Sequence, residues 1–508
     1  MLVPARSDAA VAARTSRALR VASGSVEAWL LAGIVGVGAW LRFATLGAQS
    51  YWFDEAQAAH ELHLSFGSMV SQMVLHETNP PLYFTVGWLW ARVFGTDEVG
   101  LRSLSALAGT ALIPIAYLCG RELVSRRAGL VAAALTALSP FMIWYSQEAR
   151  EYMLLAALSG LSLLYFARAW RDPSQRNIAL WTLFSAVAVL THFFAGFLVA
   201  PEAVWLLYVI RDRAIAIGVA VVAAVQLALT PLLFTHASKH LLGFISGTPL
   251  STRIRQVPVA FGLGTLYESP IVRYGLLGAA ALAGALTVLL LIGADGRQLR
   301  GAGAAAALAA VVLLLPLALA LVGEDYYIPR ALMPAWLPLA VVVGAACTAP
   351  RARVPGAIVG AVLLASFVYA QVKIDGNAQY QRPDWRGVAA ALGTADGPRA
   401  IVAYDGSTAT DPLAIYLPGV PWSGPGSRPV TVGEVDVVGH RWQALGHPLP
   451  PGVGLIDSRT VDDFLIDRFS IDPAERQSPA QVGAAAGQLL GPPLPSPAVL
   501  IQNPSSMR

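Results

Sequence analysis

Apolar residues in this chain come as long unbroken stretches, not with the period of half-buried helices or strands. The runs are 26–46, 97–119, 127–145, 149–169, 177–194, 196–210, 214–234, 271–293, 302–322, 331–348 and 355–372. A bilayer core takes about 20 such residues as a helix, because a backbone amide left unpaired in hydrocarbon is costly and a helix pairs its own. The pattern therefore predicts about eleven transmembrane helices. The first run is too long for a secretory signal and is followed by many more, so it is expected to stay as the first span. One further apolar segment, 80–95, is short, opens with Pro80-Pro81 and carries Trp88, Trp90 and Arg92. It is read as an interfacial helix. After 372 the runs give way to Gly, Pro and Asp with mixed strand and helix patterns. IVAY (401–404) reads as a buried strand and DPLAIYL (411–417) as a helix or strand, so 373–508 is expected to be a small soluble α/β domain. Its Pro- and Ala-rich end, 478–508, is expected to be partly disordered.

Charge orients the spans. Only 13% of the 508 residues are charged, about half the usual share in soluble domains, and the mean hydropathy is +0.57. Lysine occurs only at 239 and 373, so nearly all basic residues are arginine. With the tail 1–25 (Arg6, Arg14, Arg17, Arg20) placed in the cytoplasm, every second connection should also be cytoplasmic. These carry Arg121/Arg126/Arg127, Arg168/Arg171/Arg176, Arg211/Arg213, Arg297/Arg300 and Arg351/Arg353, and the alternation closes without conflict. The extracytoplasmic connections are then 47–96, 146–150, 192–196, 235–270 and 323–330, with the C-terminal domain on the same side. Lysine codons are AT-rich, so the arginine bias fits a GC-rich bacterial genome and a bacterial plasma membrane. The small basic surplus excludes a nucleic-acid binder. Two distant cysteines, Cys119 and Cys347, exclude a disulfide framework or a zinc knuckle.

The unusual polar residues gather in the outer connections. Leaving the first span, the chain reads YWFDEAQAAHELH, with Asp54 and Glu55 at the start of a helix. Asp54 could simply cap that helix and Glu55 favour its positive end. Yet a carboxylate beside hydrocarbon is poorly hydrated and makes a better base for a neutral hydroxyl. His60 and His63 lack the spacing of a helical zinc motif and read as solvated interfacial residues, whereas His76-Glu77 stands where the chain turns back toward the membrane. Glu148, Arg150 and Glu151 occupy the second outer turn, either pairing with each other or lining a pocket. In EDYYIPRALMP, Tyr327 and Arg330 suit a lipid phosphate, because guanidinium matches phosphate oxygens in pairs and stays charged; ordinary snorkelling is the alternative. Lys239, with His192, His240, Arg253 and Arg255, could add to the same electropositive rim.

WFDEA, NPPLYF, VFGTDEVGLR, SPFMIWYSQEAREY and YYIPRALMP, in this order over 26–372, resemble the GT-C glycosyltransferases, in the branch of the protein O-mannosyltransferases and the lipid A aminoarabinose transferase. DWRGVAAAL (384–392) is similar to a segment that begins the outer domain in related bacterial proteins. The resemblance implies a transmembrane catalytic domain over 26–372, with interfacial helices in the loop 47–96. It implies transfer from a polyprenyl-phosphate-linked sugar to a glycan, lipid or protein hydroxyl, outside the cytoplasm and with inversion. Under it Asp54 is the base, Glu55 orients the acceptor or assists, and His76, Glu77, Glu148 and Arg150 line the substrate pocket. Arg330, with Tyr327 and Lys239, holds the departing phosphate. A divalent cation, Mg or Mn, is left open, with Asp54, His76 and Glu77 as its candidate ligands. No Asp-x-Asp triplet of the kind that holds a nucleotide sugar occurs. Two other classes stay in view: a flippase or transporter for polyprenyl lipid or sugar, and a non-catalytic envelope protein that binds glycan.

Overall fold

The computed structural model describes residues 26–76, 79–238, 245, 247–403, 406–422, 429–440, 449, 451–490 and 498–503. The protein is a multi-pass helical membrane protein with a small C-terminal sheet. Every one of the eleven apolar runs lies on helix: α1 (Val26–Phe43), α5 (Glu98–Leu123), α6 (Arg126–Leu138) with α7 (Pro140–Ser146), α8 (Tyr152–Arg171), α9 (Gln175–Thr191), α10 (Gly196–Ile210), α11 (Arg213–Ser238), α13 (Gly275–Gly293), α14 (Gly296–Leu321), α15 (Trp336–Cys347) and α16 (Arg353–Asp375). Among the described residues nine are long and apolar enough to cross a membrane, and the α6–α7 pair, bent by 58°, makes a tenth. The remaining run, 177–194, is helical as well. Its helix has 17 residues and stops at Thr191, where His192 turns extended and its Nδ1 accepts the Phe194 N–H.

The α6–α7 bend has a local cause. Pro140 cannot donate a backbone hydrogen bond and disfavours helix in the residue before it. Ser139 is accordingly extended, and its hydroxyl accepts the Met142 N–H at 3.2 Å, capping the new helix. Small residues bring the neighbouring helices together: a Cβ on Gly344 of α15 would stand 2.5 Å from the Ala128 carbonyl, and one on Gly120 of α5 2.7 Å from Gly129 Cα.

The chain divides into two compact units, 1–44 with 72–87 and 102–372, and 45–71 with 88–101 and 373–508. The segment around 54 forms α2 (Phe53–His63) in the second unit, and the next two helices, α3 (Phe66–His76) and α4 (Leu82–Phe94), have residues in both. Thirteen residues make α4 too short to cross, as its sequence predicts. Its Trp88 and Arg92 donate to the Leu64 carbonyl at 3.0 and 2.7 Å, taking up an acceptor that the end of α2 leaves over.

The C-terminal part is a five-stranded sheet in the order β3 (Val453–Val461), β4 (Phe464–Gln477), β2 (Val430–His440), β1 (Arg399–Ala403), β5 (Ala498–Gln502). Only β1 and β2 run parallel, with Ile401 opposite Asp436. Alternation along β1 splits the core between two faces. Ile401 and Ala403 pack with α17 (Trp385–Leu392) and α18 (Thr410–Tyr416), while Ala400 and Val402 pack with α19 (Pro479–Leu490). Of the end expected to be partly disordered, 478–508, the stretches α19 and β5 are folded, with Val482, Ala486, Val499 and Ile501 buried against the sheet; 491–497 and 504–508 lie outside the described residues.

Candidate functional site

In the first unit the polar residues centre on the turn between α7 and α8. Gln147 Nε2 donates to the Leu41 and Arg42 carbonyls at 3.1 and 3.3 Å. In return the buried Arg42 guanidinium donates to the Thr136 and Ala137 carbonyls at 2.8 and 3.0 Å, acceptors freed where α6 ends. This exchange fastens the start of the turn to α1. Its far end is fastened by the Ser105 hydroxyl, which donates to the Arg150 carbonyl at 3.1 Å.

Between these anchors Glu148, Arg150, Glu151 and Tyr152 are all buried. Glu151 is the hub. Its Oε1 accepts from Asn79 Nδ2 at 2.9 Å, its Oε2 lies 3.1 Å from Arg150 Nε, and His192 Nε2 stands 3.7 Å from Oε1. Asn79 comes from the NPPLYF segment, and Arg150 lies 5.9 Å above the Phe84 ring of the same segment. Arg330 lies 5.7 Å above the Tyr152 ring, whose edge meets Tyr145 at 5.2 Å. Glu148, Arg150 and Glu151 are buried and Arg330 is half-buried, a setting in which fixed charge acts strongly. Tyr327, three residues before Arg330, is buried, and burial pushes its hydroxyl upward so that it remains a protonated donor.

In the second unit α2 begins at Phe53 with Trp52 as its cap residue and no side-chain capping bond. Asp54 is therefore not the N-cap. Glu55 is fully buried, with Oε2 3.6 Å from Nε of the buried Arg382. The DWRG segment explains itself here. Asp384 accepts the Gly387 N–H and caps α17, Trp385 enters the core, and Arg386 reaches Glu98 at 2.7 Å and the Gly47 and Gln49 carbonyls. Glu98 Oε1 also accepts the Tyr416 hydroxyl at 2.6 Å, and that hydroxyl oxygen accepts the Tyr51 N–H at 2.7 Å. The helix bearing Asp54 and Glu55 is thus held by contacts from 382–386 and 416.

Of the residues singled out in the sequence, Glu148, Arg150 and Arg330 come together in the first unit, and Asp54 and Glu55 lie in the second. His76 ends α3; its side chain, with Glu77 and Lys239, lies outside the described residues. Among the described residues no three His, Cys, Asp or Glu groups could hold a metal ion. Sequence reasoning undervalued Asn79 and Glu151 and missed Arg382 and Glu202. Glu202 is buried in α10, where its Oε2 accepts from Ser162 Oγ at 2.5 Å and Trp181 Nε1 at 3.0 Å. A lone acid in an apolar run was its available signal.

Residues 78–235 match the family described as dolichyl-phosphate-mannose-protein mannosyltransferase. No curated protein matches the chain. Among solved structures it is similar to ArnT from Cupriavidus metallidurans bound to undecaprenyl phosphate, at 17% identity over 71% of this chain and 68% of that one, with a TM-score of 0.44. It is similar to the Archaeoglobus fulgidus oligosaccharyltransferase in complex with zinc and sulfate, at 16% identity over 72% and 56%, with a TM-score of 0.41. It is also similar to the arabinofuranosyltransferase AftD from mycobacteria, at 15% identity over 87% and 41%, with a TM-score of 0.42.

Proposed function

We propose that this protein is a membrane glycosyltransferase that moves a sugar from a polyprenyl-phosphate donor to a hydroxyl acceptor at the outer face of a bacterial plasma membrane. One observation carries the reading: the stretch that matches the dolichyl-phosphate-mannose-protein mannosyltransferase family, 78–235, supplies Asn79, Glu148, Arg150, Glu151 and His192, which the fold gathers into one buried polar cluster.

The chemistry asked of the protein is modest, since polyprenyl phosphate is already a fair leaving group. Asp54 takes the proton of the acceptor hydroxyl as its oxygen bonds to the anomeric carbon. The bond from that carbon to the phosphate oxygen breaks on the opposite face, its electron pair leaves with the phosphate, and the anomeric configuration inverts. Arg330, with Tyr327 donating, meets the charge that develops on the phosphate; removing one such fixed donor typically costs about 10²–10³ in rate. Loss of a general base typically costs about 10²–10⁴. Glu55, through Arg382, holds the helix on which Asp54 stands. Glu148 and Arg150 orient the sugar.

The test supplies membranes containing the protein with radiolabelled polyprenyl-phosphate sugars, one at a time, and a crude envelope acceptor. Transfer that falls by the amounts above in Asp54→Asn and Arg330→Ala supports the reading. Absence of transfer from any donor, or an Asp54→Asn variant as active as wild type, overturns it.

A further inference from the structure

Arg253, within the outer connection 235–270, is engaged by other residues of this chain. It lies on α12 (Leu250–Leu263) and is buried. Its Nη1 donates to Asp325 Oδ1 at 2.7 Å and to the Tyr327 carbonyl at 2.8 Å, its Nη2 to Asp325 Oδ2 at 2.5 Å, and its Nε to the Thr248 carbonyl at 2.8 Å. Asp325 Oδ1 also accepts the Tyr327 N–H at 3.2 Å. Residues 325 and 327 are thereby fixed to α12 by side chain and backbone together. On the other side the Tyr326 ring meets Phe194 edge-on at 6.4 Å, and Phe194 stacks at 4.1 Å on His192, the neighbour of Glu151. Next comes extended Ile328, then Pro329, which starts the short helix Pro329–Ala335. Proline has a fixed φ, so little freedom remains between the fixed residues 325–327 and Arg330.

We infer that Arg253 is a positioning residue whose forked pairing with Asp325 sets the turn that presents Arg330; the inference rests on the phosphate-holding role proposed above for Arg330. The planar fork matters as well as the charge, because the guanidinium meets four acceptors, both Asp325 oxygens and the Tyr327 and Thr248 carbonyls, where an ammonium has three donors and no fork.

Two measurements on the full-length protein decide it. In a double-mutant cycle, Asp325→Asn and Arg253→Lys each lower kcat/KM for the polyprenyl-phosphate sugar about 10–100-fold in the wild-type background, as a misplaced group does. In the Arg330→Ala background the same changes cost less than about threefold, because their effect runs through Arg330. Equal losses in both backgrounds would reduce the pair to a general structural role and overturn the inference. Hydrogen exchange reads the turn without activity: in Arg253→Gln the amides of 324–331 should exchange about tenfold faster or more while those of α5 stay unchanged. Unchanged exchange in 324–331 overturns it too. If wild type transfers no donor sugar, the glycosyltransferase reading fails on its own, and the exchange measurement still decides whether the clamp exists.

Discussion

Replacing Glu151 by glutamine tests whether the polar cluster is held by charge. Glutamine keeps an oxygen that can accept from Asn79 Nδ2, which now bonds Oε1 at 2.9 Å. It removes the negative charge 3.1 Å from Arg150 Nε. Both partners are shielded, Glu151 completely and Arg150 to within 6% of its side-chain surface, so solvent screens the pair little. Breaking such a buried pair from one side costs about 3–5 kcal/mol, chiefly because the remaining charge is stranded. Glu151→Gln should therefore lower the stability of the detergent-solubilised protein by about that amount, read from denaturant unfolding followed by circular dichroism. The paired variant Arg150→Met with Glu151→Met buries no charge from this pair and should lose clearly less than the two single changes added together. If Glu151→Gln is as stable as wild type, or if the single effects simply add, the cluster is not organised by this pair.

The remaining expectations concern other parts of the molecule. Glu202→Leu leaves the buried Trp181 N–H without its acceptor, while Ser162 keeps the Ser185 hydroxyl at 2.8 Å, and should cost about 1–3 kcal/mol, whereas Glu202→Gln, which keeps an acceptor oxygen, should cost less in the same unfolding assay. Hydrogen bonds from Arg253 hold Asp325 below the usual carboxylate range, so its stabilisation is present above the ordinary carboxylate pKa and is lost as pH falls through the depressed value. The stability gap between wild type and Asp325→Asn should close on acidification and not on raising the pH. Burial pushes Asp411 up to about 6 from 3.8, opposed by the Thr410 hydroxyl. Its contribution is therefore present below the ordinary value and lost as pH rises through about 6. Asp411→Asn should gain on wild type across that window, and an equal gap at all pH values would refute the assignment.

How much of this could be read in the residues differs from element to element. Hydrophobic run length located the helices because unpaired backbone is costly in lipid, a rule that needs no knowledge of neighbours. At 177–194 it located a helix of 17 residues that ends at Thr191, where His192 turns extended. The run 127–145 contained a bend that Ser139-Pro140 signals once proline's missing donor is considered. Glu148 and Arg150 were legible because charges at the end of an apolar run stand out. Glu151 as hub was not, since its importance depends on Asn79, 72 residues away, and on His192. Arg382 was illegible for the same reason: nothing near it in sequence announces Glu55. Order at 479–490 was hidden by a composition that reads as linker, although Val482 and Ala486 have the spacing of one helix face.

The central claim is that sugar leaves polyprenyl phosphate for a hydroxyl, with Asp54 taking the proton. The measurement that meets it most directly counts products: polyprenyl phosphate released and sugar transferred, in wild type and in Asp54→Asn. The account predicts one released phosphate lipid per transferred sugar in wild type, and a loss of both by about 10²–10⁴ in Asp54→Asn, in protein whose circular dichroism and unfolding match wild type. Sugar lipid that crosses the membrane or binds without being cleaved, or cleavage that Asp54→Asn leaves untouched, would contradict it.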